Sequence, residues 1–121
     1  MRQSTLDPSS VRQLDAYKAA VALVAEAGKL LPRFARFDRA LACQLKRAAP
    51  SAPLNLAEAM RRTGGDRAHL LTVAMGSAAE VQALLDVGVA LGLISKRQAG
   101  PADELADRVC AMVYRLRQRS R

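Results

Sequence analysis

Between Ala68 and Leu93 the chain runs for 26 residues with only two charges, Glu80 and Asp86. A helix that lies on a protein surface carries charge along its outer side. Here Leu70, Val73, Ala74, Ser77, Val81, Leu84, Leu85, Gly88 and Leu91 fall on one side, and Leu71, Met75, Ala78 and Val89 widen it. The opposite side holds Thr72, Gly76, Ala79, Ala83 and Ala90, all small and uncharged. The pattern predicts one long helix buried on more than one side. Gly64-Gly65-Asp66 opens it, with Asp66 as N-cap, and Gly92 closes it. A chain of 121 residues offers this helix few internal neighbours. The small face at Thr72, Gly76, Ala79, Ala83 and Ala90 is therefore the expected oligomer interface, packed against other copies of the chain.

The remaining segments read as three more helices. A polar leader, residues 1–10, precedes a helix over Val11 to Leu31. Its apolar face is Leu14, Tyr17, Val21, Val24, Ala25, Gly28 and Leu31, and Pro32 ends it. Arg33 to Phe37 is a basic, aromatic connector. A second helix spans Asp38 to Arg62, with Leu41, Leu45, Ala48 and Ala52 as its stripe. Pro50 and Pro53 fall inside it and are expected to bend it, with Ser51 and Asn55 serving the freed carbonyls. After the central helix, Ile94 to Gly100 turns the chain and a last helix begins at Pro101, with Asp103 and Glu104 near its positive end. Leu105, Val109, Met112, Val113 and Leu116 line its inner face. No alternating strand run and no hairpin signal occur. The expected fold is all-α: one domain over residues 11–121, an antiparallel up-down-up-down four-helix bundle with the second helix kinked at Pro50 and Pro53. No signal peptide is apparent, and the first apolar run, Ala19 to Ala25, is far below the roughly 20 residues that span a bilayer. Cys43 and Cys110 have no metal or redox spacing and read as reduced thiols of a cytoplasmic protein.

Charge is distributed unevenly. Residues 28–62 hold eight basic residues against two acidic ones, and residues 96–121 hold seven against three, within a net charge of +8. Such an excess points to acidic partners, nucleic acid first. The candidate contacts are Arg33, Arg36, Arg39, Lys46 and Arg47, together with Arg115, Arg117, Arg119 and Arg121 of the tail. Only Phe34, Phe37 and Tyr114 lie near them for base stacking. Recognition is expected to rest on backbone and shape rather than on single bases.

Catalytic signatures are missing from the pattern. His69 is the only histidine and has no second ligand at helical spacing. Ser77 lies in no nucleophile elbow, and Gly64-Gly65 is not followed by a Gly-Lys-Ser/Thr phosphate loop. Glu58 and Glu80 sit on apolar helices and need partners; with Ser51 and Asn55 they are expected to form a structural polar network, Arg47 being a further candidate. No cofactor, metal or enzymatic activity is expected.

The run Gln44 to Glu58, with Ser51, Pro53, Asn55, Ala57 and Glu58 as its core, resembles a bacterial family. Gly76-Ser77 with Glu80, and the ending Leu91-Gly92-Leu93-Ile94-Ser95, carry the same likeness. It is the four helix bundle protein family, which includes proteins encoded by intervening sequences of large-subunit ribosomal RNA genes and accessory variability proteins of diversity-generating retroelements. The likeness covers about residues 12 to 118. Ala59 replaces the usual glycine, and Pro50 is an extra proline. The resemblance implies a four-helix bundle assembled as a ring-like homopentamer. For the accessory proteins it further implies binding of RNA together with a reverse transcriptase. The expectation is a non-enzymatic, oligomeric, RNA- or polyanion-binding protein with no membrane role. The alternative is a scaffold that recruits a reverse transcriptase or an acidic protein partner.

Overall fold

The computed structural model describes residues 10–120, so the leader lies almost wholly outside the described residues. After a single 3-10 turn at Val11–Gln13, four helices follow: α1 (Asp15–Phe37), α2 (Arg39–Ala59), α3 (Gly64–Ala90) and α4 (Lys96–Arg119). No strand occurs among the described residues. Each helix packs on two others. α1 and α3 both lie against α2 and α4, and they barely meet each other across the diagonal. This is a four-helix bundle. Side-chain bonds between α3 and α4 pair Gln82 with Asp107, Met75 with Cys110 and Thr72 with Arg117, so the two helices run in opposite order.

The core combines the fully buried Phe34, Leu23, Leu45, Leu56, Leu71 and Val81 with many alanines, which let the helix axes approach closely. α3 buries Leu71, Ala74, Ser77, Ala78, Val81, Leu84, Leu85 and Gly88, much of the side expected of it, while Leu91 is exposed. It ends as expected. Gly92 has φ +75, and the Leu93 N–H donates to the Gly88 carbonyl at 2.9 Å. Its start differs from the expectation. Thr63 is the N-cap residue and Asp66 already belongs to the first turn, where its charge favours the helix dipole. By length and composition α3 is apolar enough to cross a bilayer; here its inner side is packed inside the bundle.

Two boundaries set at prolines are corrected. Pro32 does not end α1, which continues to Phe37. The proline forfeits one backbone bond, but Phe34 two residues on is fully buried and holds the next turn in place. The actual stop is Asp38, extended at φ −160, whose carboxylate accepts the Ala40 N–H at 2.9 Å and caps α2. Pro101 does not open α4. Ser95 does, through a capping box in which Gln98 N–H donates to Ser95 Oγ and Ser95 N–H donates to Gln98 Oε1. Asp103 and Glu104 therefore lie beyond the first turn. Pro50 and Pro53 both sit within one unbroken α2.

The buried face of α1 also differs. Ala16, Ala19, Ala20, Leu23, Ala27, Leu30 and Phe34 enter the core. The expected stripe does not: Val21, Ala25 and Gly28 are exposed, and Leu14, Tyr17, Val24 and Leu31 are only half-buried. α1 has two apolar faces, and the one with more alanine fits closer to α2 and α4.

Candidate nucleic-acid interface

The basic residues expected to act together fall at two ends of the bundle. Arg33 and Arg36 project from the last turns of α1, and Arg39 opens α2 directly afterwards; all three are exposed. Lys46 and Arg47 stand about two turns further along α2, roughly 10 Å away at 1.5 Å per residue, and are exposed too. Lys96 and Arg97 begin α4 at the same end, next to Ile94, which packs near Phe34. None of these cations forms an ion pair among the described residues. Phe37, 55% exposed, stands between Arg36 and Arg39.

The tail arginines occupy the other end. Arg115 and Arg119 border a hollow with Leu14 and Asp15 at the start of α1. Arg117 Nε donates to Thr72 Oγ1 at 2.7 Å and reaches the start of α3. α1 is 23 residues long, about 34 Å. Arg115 and Arg33 are thus nearly a helix length apart, and the two groups do not make one patch within a chain. Arg121 lies outside the described residues.

The turn between α2 and α3 enlarges this second group, and charge counts by segment missed it. Arg61 and Arg62 are exposed there, beside Arg67. Glu58 binds Arg62 by two side-chain hydrogen bonds, one of 2.8 Å from Nε, and this carboxylate raises the Arg62 pKa further above its ordinary value. Arg67 serves the backbone instead. Its Nε donates to the carbonyls of Ala59 (3.2 Å) and Arg62 (2.8 Å), which closes the exposed end of α2. The signal available in the sequence was topological: in an antiparallel bundle the end of the fourth helix returns to the turn between the second and third.

The polar network is smaller than expected. Ser77 Oγ donates to the Val73 carbonyl at 3.0 Å, so its 2.7 Å bond with Ser51 Oγ is donated by Ser51. Asn55 Nδ2 donates in turn to Ser51 Oγ and to the Ser51 carbonyl. That carbonyl is not one freed by proline, since Pro50 and Pro53 release those of Lys46 and Ala49. Ser51, Asn55 and Ser77 thus form a closed relay between α2 and α3. Glu58 is drawn off to Arg62, and Glu80 is exposed and joins nothing in the relay. Among the described residues Ser77 Oγ bonds to Ser51 Oγ and the Val73 carbonyl, and His69 is exposed on α3. The small face of α3, Thr72, Gly76, Ala79, Ala83 and Ala90, is exposed along its whole length in the single chain.

Compared with known families, residues 12–115 match the family described as 23S rRNA-intervening sequence protein. No match was found among curated proteins.

Proposed function

Because the chain belongs to the 23S rRNA-intervening sequence protein family, we propose that it is a non-enzymatic, self-associating helical bundle that binds RNA or another polyanion. The contacts are Arg33, Arg36, Arg39, Lys46 and Arg47 on one side and Arg115, Arg117 and Arg119 with Arg61 on the other. The observation that carries this reading is the state of the first group: five exposed cations, none held by a carboxylate among the described residues. A cation without an internal partner is free to replace the counterions of a phosphate chain. Exposed Phe37 and Tyr114 stand among these cations and offer faces for stacking.

Self-association supplies what one chain lacks. The two basic groups lie at opposite ends of each bundle, so repetition around a ring would set them as two belts. In this reading the small exposed face of α3 is the contact between copies, and a closed homopentamer is the assembly. The protein works in the cytoplasm, where RNA is present and the free thiols of Cys43 and Cys110 stay reduced.

The test is anisotropy of a labelled structured RNA at about 50 and about 200 mM salt, a range over which phosphate-driven binding falls by orders of magnitude. Charge reversal at Arg36, Arg39 and Lys46 together should weaken binding and flatten its salt dependence with the helical signal unchanged. Binding that ignores both salt and these substitutions would remove the proposal.

A further inference from the structure

α1 carries two apolar faces, and the bundle uses one of them. Leu23, Ala27, Leu30 and Phe34 enter the core. Tyr17, Val21, Val24, Gly28 and Leu31 recur with the same period on a neighbouring face, and Val21 is 45% exposed. Where this second face meets α2 it forms one wall of an open groove of about 460 Å³. Leu31, Pro32, Ala35 and Ala42 floor it, and exposed Cys43 stands at its side. A smaller hollow shares Gly28, Leu31 and Lys46 and prolongs the groove toward Val24 and Pro50. Two charged side chains line it, Arg39 and Lys46, and neither has an ion-pair partner among the described residues. The adjacent carboxylate, Asp38, is occupied as the cap of α2.

We propose that this groove docks an amphipathic helix of a partner protein, with large apolar side chains on one face and carboxylates seven residues apart beside them. Arg39 and Lys46 are themselves seven residues apart on α2, two helical turns or about 10 Å, so carboxylates at that spacing meet both. From Val24 to Ala35 the apolar wall extends for about 16 Å, enough for three turns of the incoming helix. A phosphodiester backbone would engage the two cations but leave the apolar floor in contact with water. The small face of α3 in a second copy carries only two carboxylates, Glu80 and Asp86, six residues apart instead of seven. Its own residues Thr72, Gly76, Ala79, Ala83 and Ala90 are too small to fill the groove, with only Val87 and Leu91 exposed as large apolar groups beside its far end. This inference is independent of the nucleic-acid reading, although Arg39 and Lys46 enter both.

The test uses the full chain in a Cys110→Ser background, leaving Cys43 as a reporter inside the groove. The probe is a labelled synthetic helix of about 15 residues, long enough to hold helical structure, with leucines on one face and glutamates seven residues apart. A second probe has lysines in place of the glutamates. The glutamate peptide should bind by anisotropy and slow alkylation of Cys43 several-fold, and the lysine peptide should do neither. Gly28→Leu places a side chain where an added Cβ meets no atom within 4 Å, so the chain folds while the groove is filled. Binding should be lost in Gly28→Leu and kept in Gly28→Ala. Equal binding of both peptides, binding of neither, or a bound peptide that leaves Cys43 unprotected would overturn the proposal. So would Cys43 protection that rises with protein concentration alone, which would make a second copy the occupant, or protection by an RNA oligonucleotide as complete as that by the peptide.

Discussion

The ring of Phe34 closes on the backbone of Gly88: a Cβ built at Gly88 would stand 2.6 Å from Phe34 Cζ and 3.3 Å from Ile94 Cδ1. Phe34 is the largest fully buried side chain, and the contact ties the end of α1 to the end of α3 across the bundle diagonal. Gly88→Ala should therefore destabilise the fold by about 1–3 kcal/mol despite alanine's better helix propensity, because the ring has no room to retreat. Phe34→Leu shortens the side chain that fills the space. In the double variant the Gly88→Ala penalty should shrink, giving a coupling energy well above experimental error in a urea double-mutant cycle. Additive penalties would mean that the ring moves freely.

Arg67 predicts a second, electrostatic weakness. It begins on α3 and donates to the Ala59 and Arg62 carbonyls at the end of α2. Arg67→Met keeps much of the aliphatic stem and removes the donors. A loss of about 1.5–3 kcal/mol is expected for hydrogen bonds made by a charged group, measured by urea denaturation. Arg67→Lys should recover little, because lysine has a methylene where the Nε–H shared by both carbonyls stands, and its ammonium lies beyond them.

The Ser51–Ser77 relay should behave as a unit. Ser51→Ala leaves Asn55 with one acceptor and Ser77 Oγ without its donor, at a cost of about 1–3 kcal/mol. Ser77→Ala leaves the Ser51 hydroxyl without its acceptor. The double substitution should cost less than the sum, since neither hydroxyl is then stranded. Thermal unfolding of the three variants decides it.

The long α3 was legible because two charges in 26 residues leave no other reading, and Gly92 marks its end by geometry that only glycine takes easily. The α1 face was not legible, because Tyr17-Val21-Val24 and Leu23-Leu30-Phe34 repeat with the same period. Residue size favoured the wrong one, and close helix approach favoured the alanine-rich one. Prolines misled at both ends. Pro32 and Pro101 are tolerated inside helices because a buried phenylalanine and a capping box fix the flanking turns. For the candidate site, the residues were visible and their grouping was not. Segment charge does not reveal that Arg115 and Arg33 lie at opposite ends, or that Arg61 joins the former.

Cys110 supplies a pH prediction. Burial, and then the nearby Asp107 carboxylate, push its thiol pKa up, and its Sγ lies 3.7 Å from the Met75 carbonyl. The folded state thus holds this proton more tightly than the unfolded chain does. The stability it contributes is complete below the ordinary thiol pKa of about 8.5 and is lost as pH rises through the higher folded value. Between about pH 8 and about pH 10 the urea midpoint of the wild type should fall more than that of Cys110→Ala, in the range where thiols titrate. In the folded protein a thiol reagent should label exposed Cys43 well before Cys110.

Assembly rests on the exposed small face of α3. Ala79 and Ala83 are exposed on it one turn apart. A glutamate at either position touches nothing in the single-chain core, so the monomer fold should survive with unchanged helical signal. Within a contact between copies the same carboxylate would be buried without a partner, a cost of several kcal/mol per site that a surface of alanine and glycine cannot offset. Light scattering at a fixed concentration should then show Ala79→Glu and Ala83→Glu at lower mass than the wild type, while Glu80→Gln at the rim should leave the mass unchanged. If both glutamate variants keep the wild-type mass, the copies do not meet through this face, and the charge-free side of α3 needs another occupant.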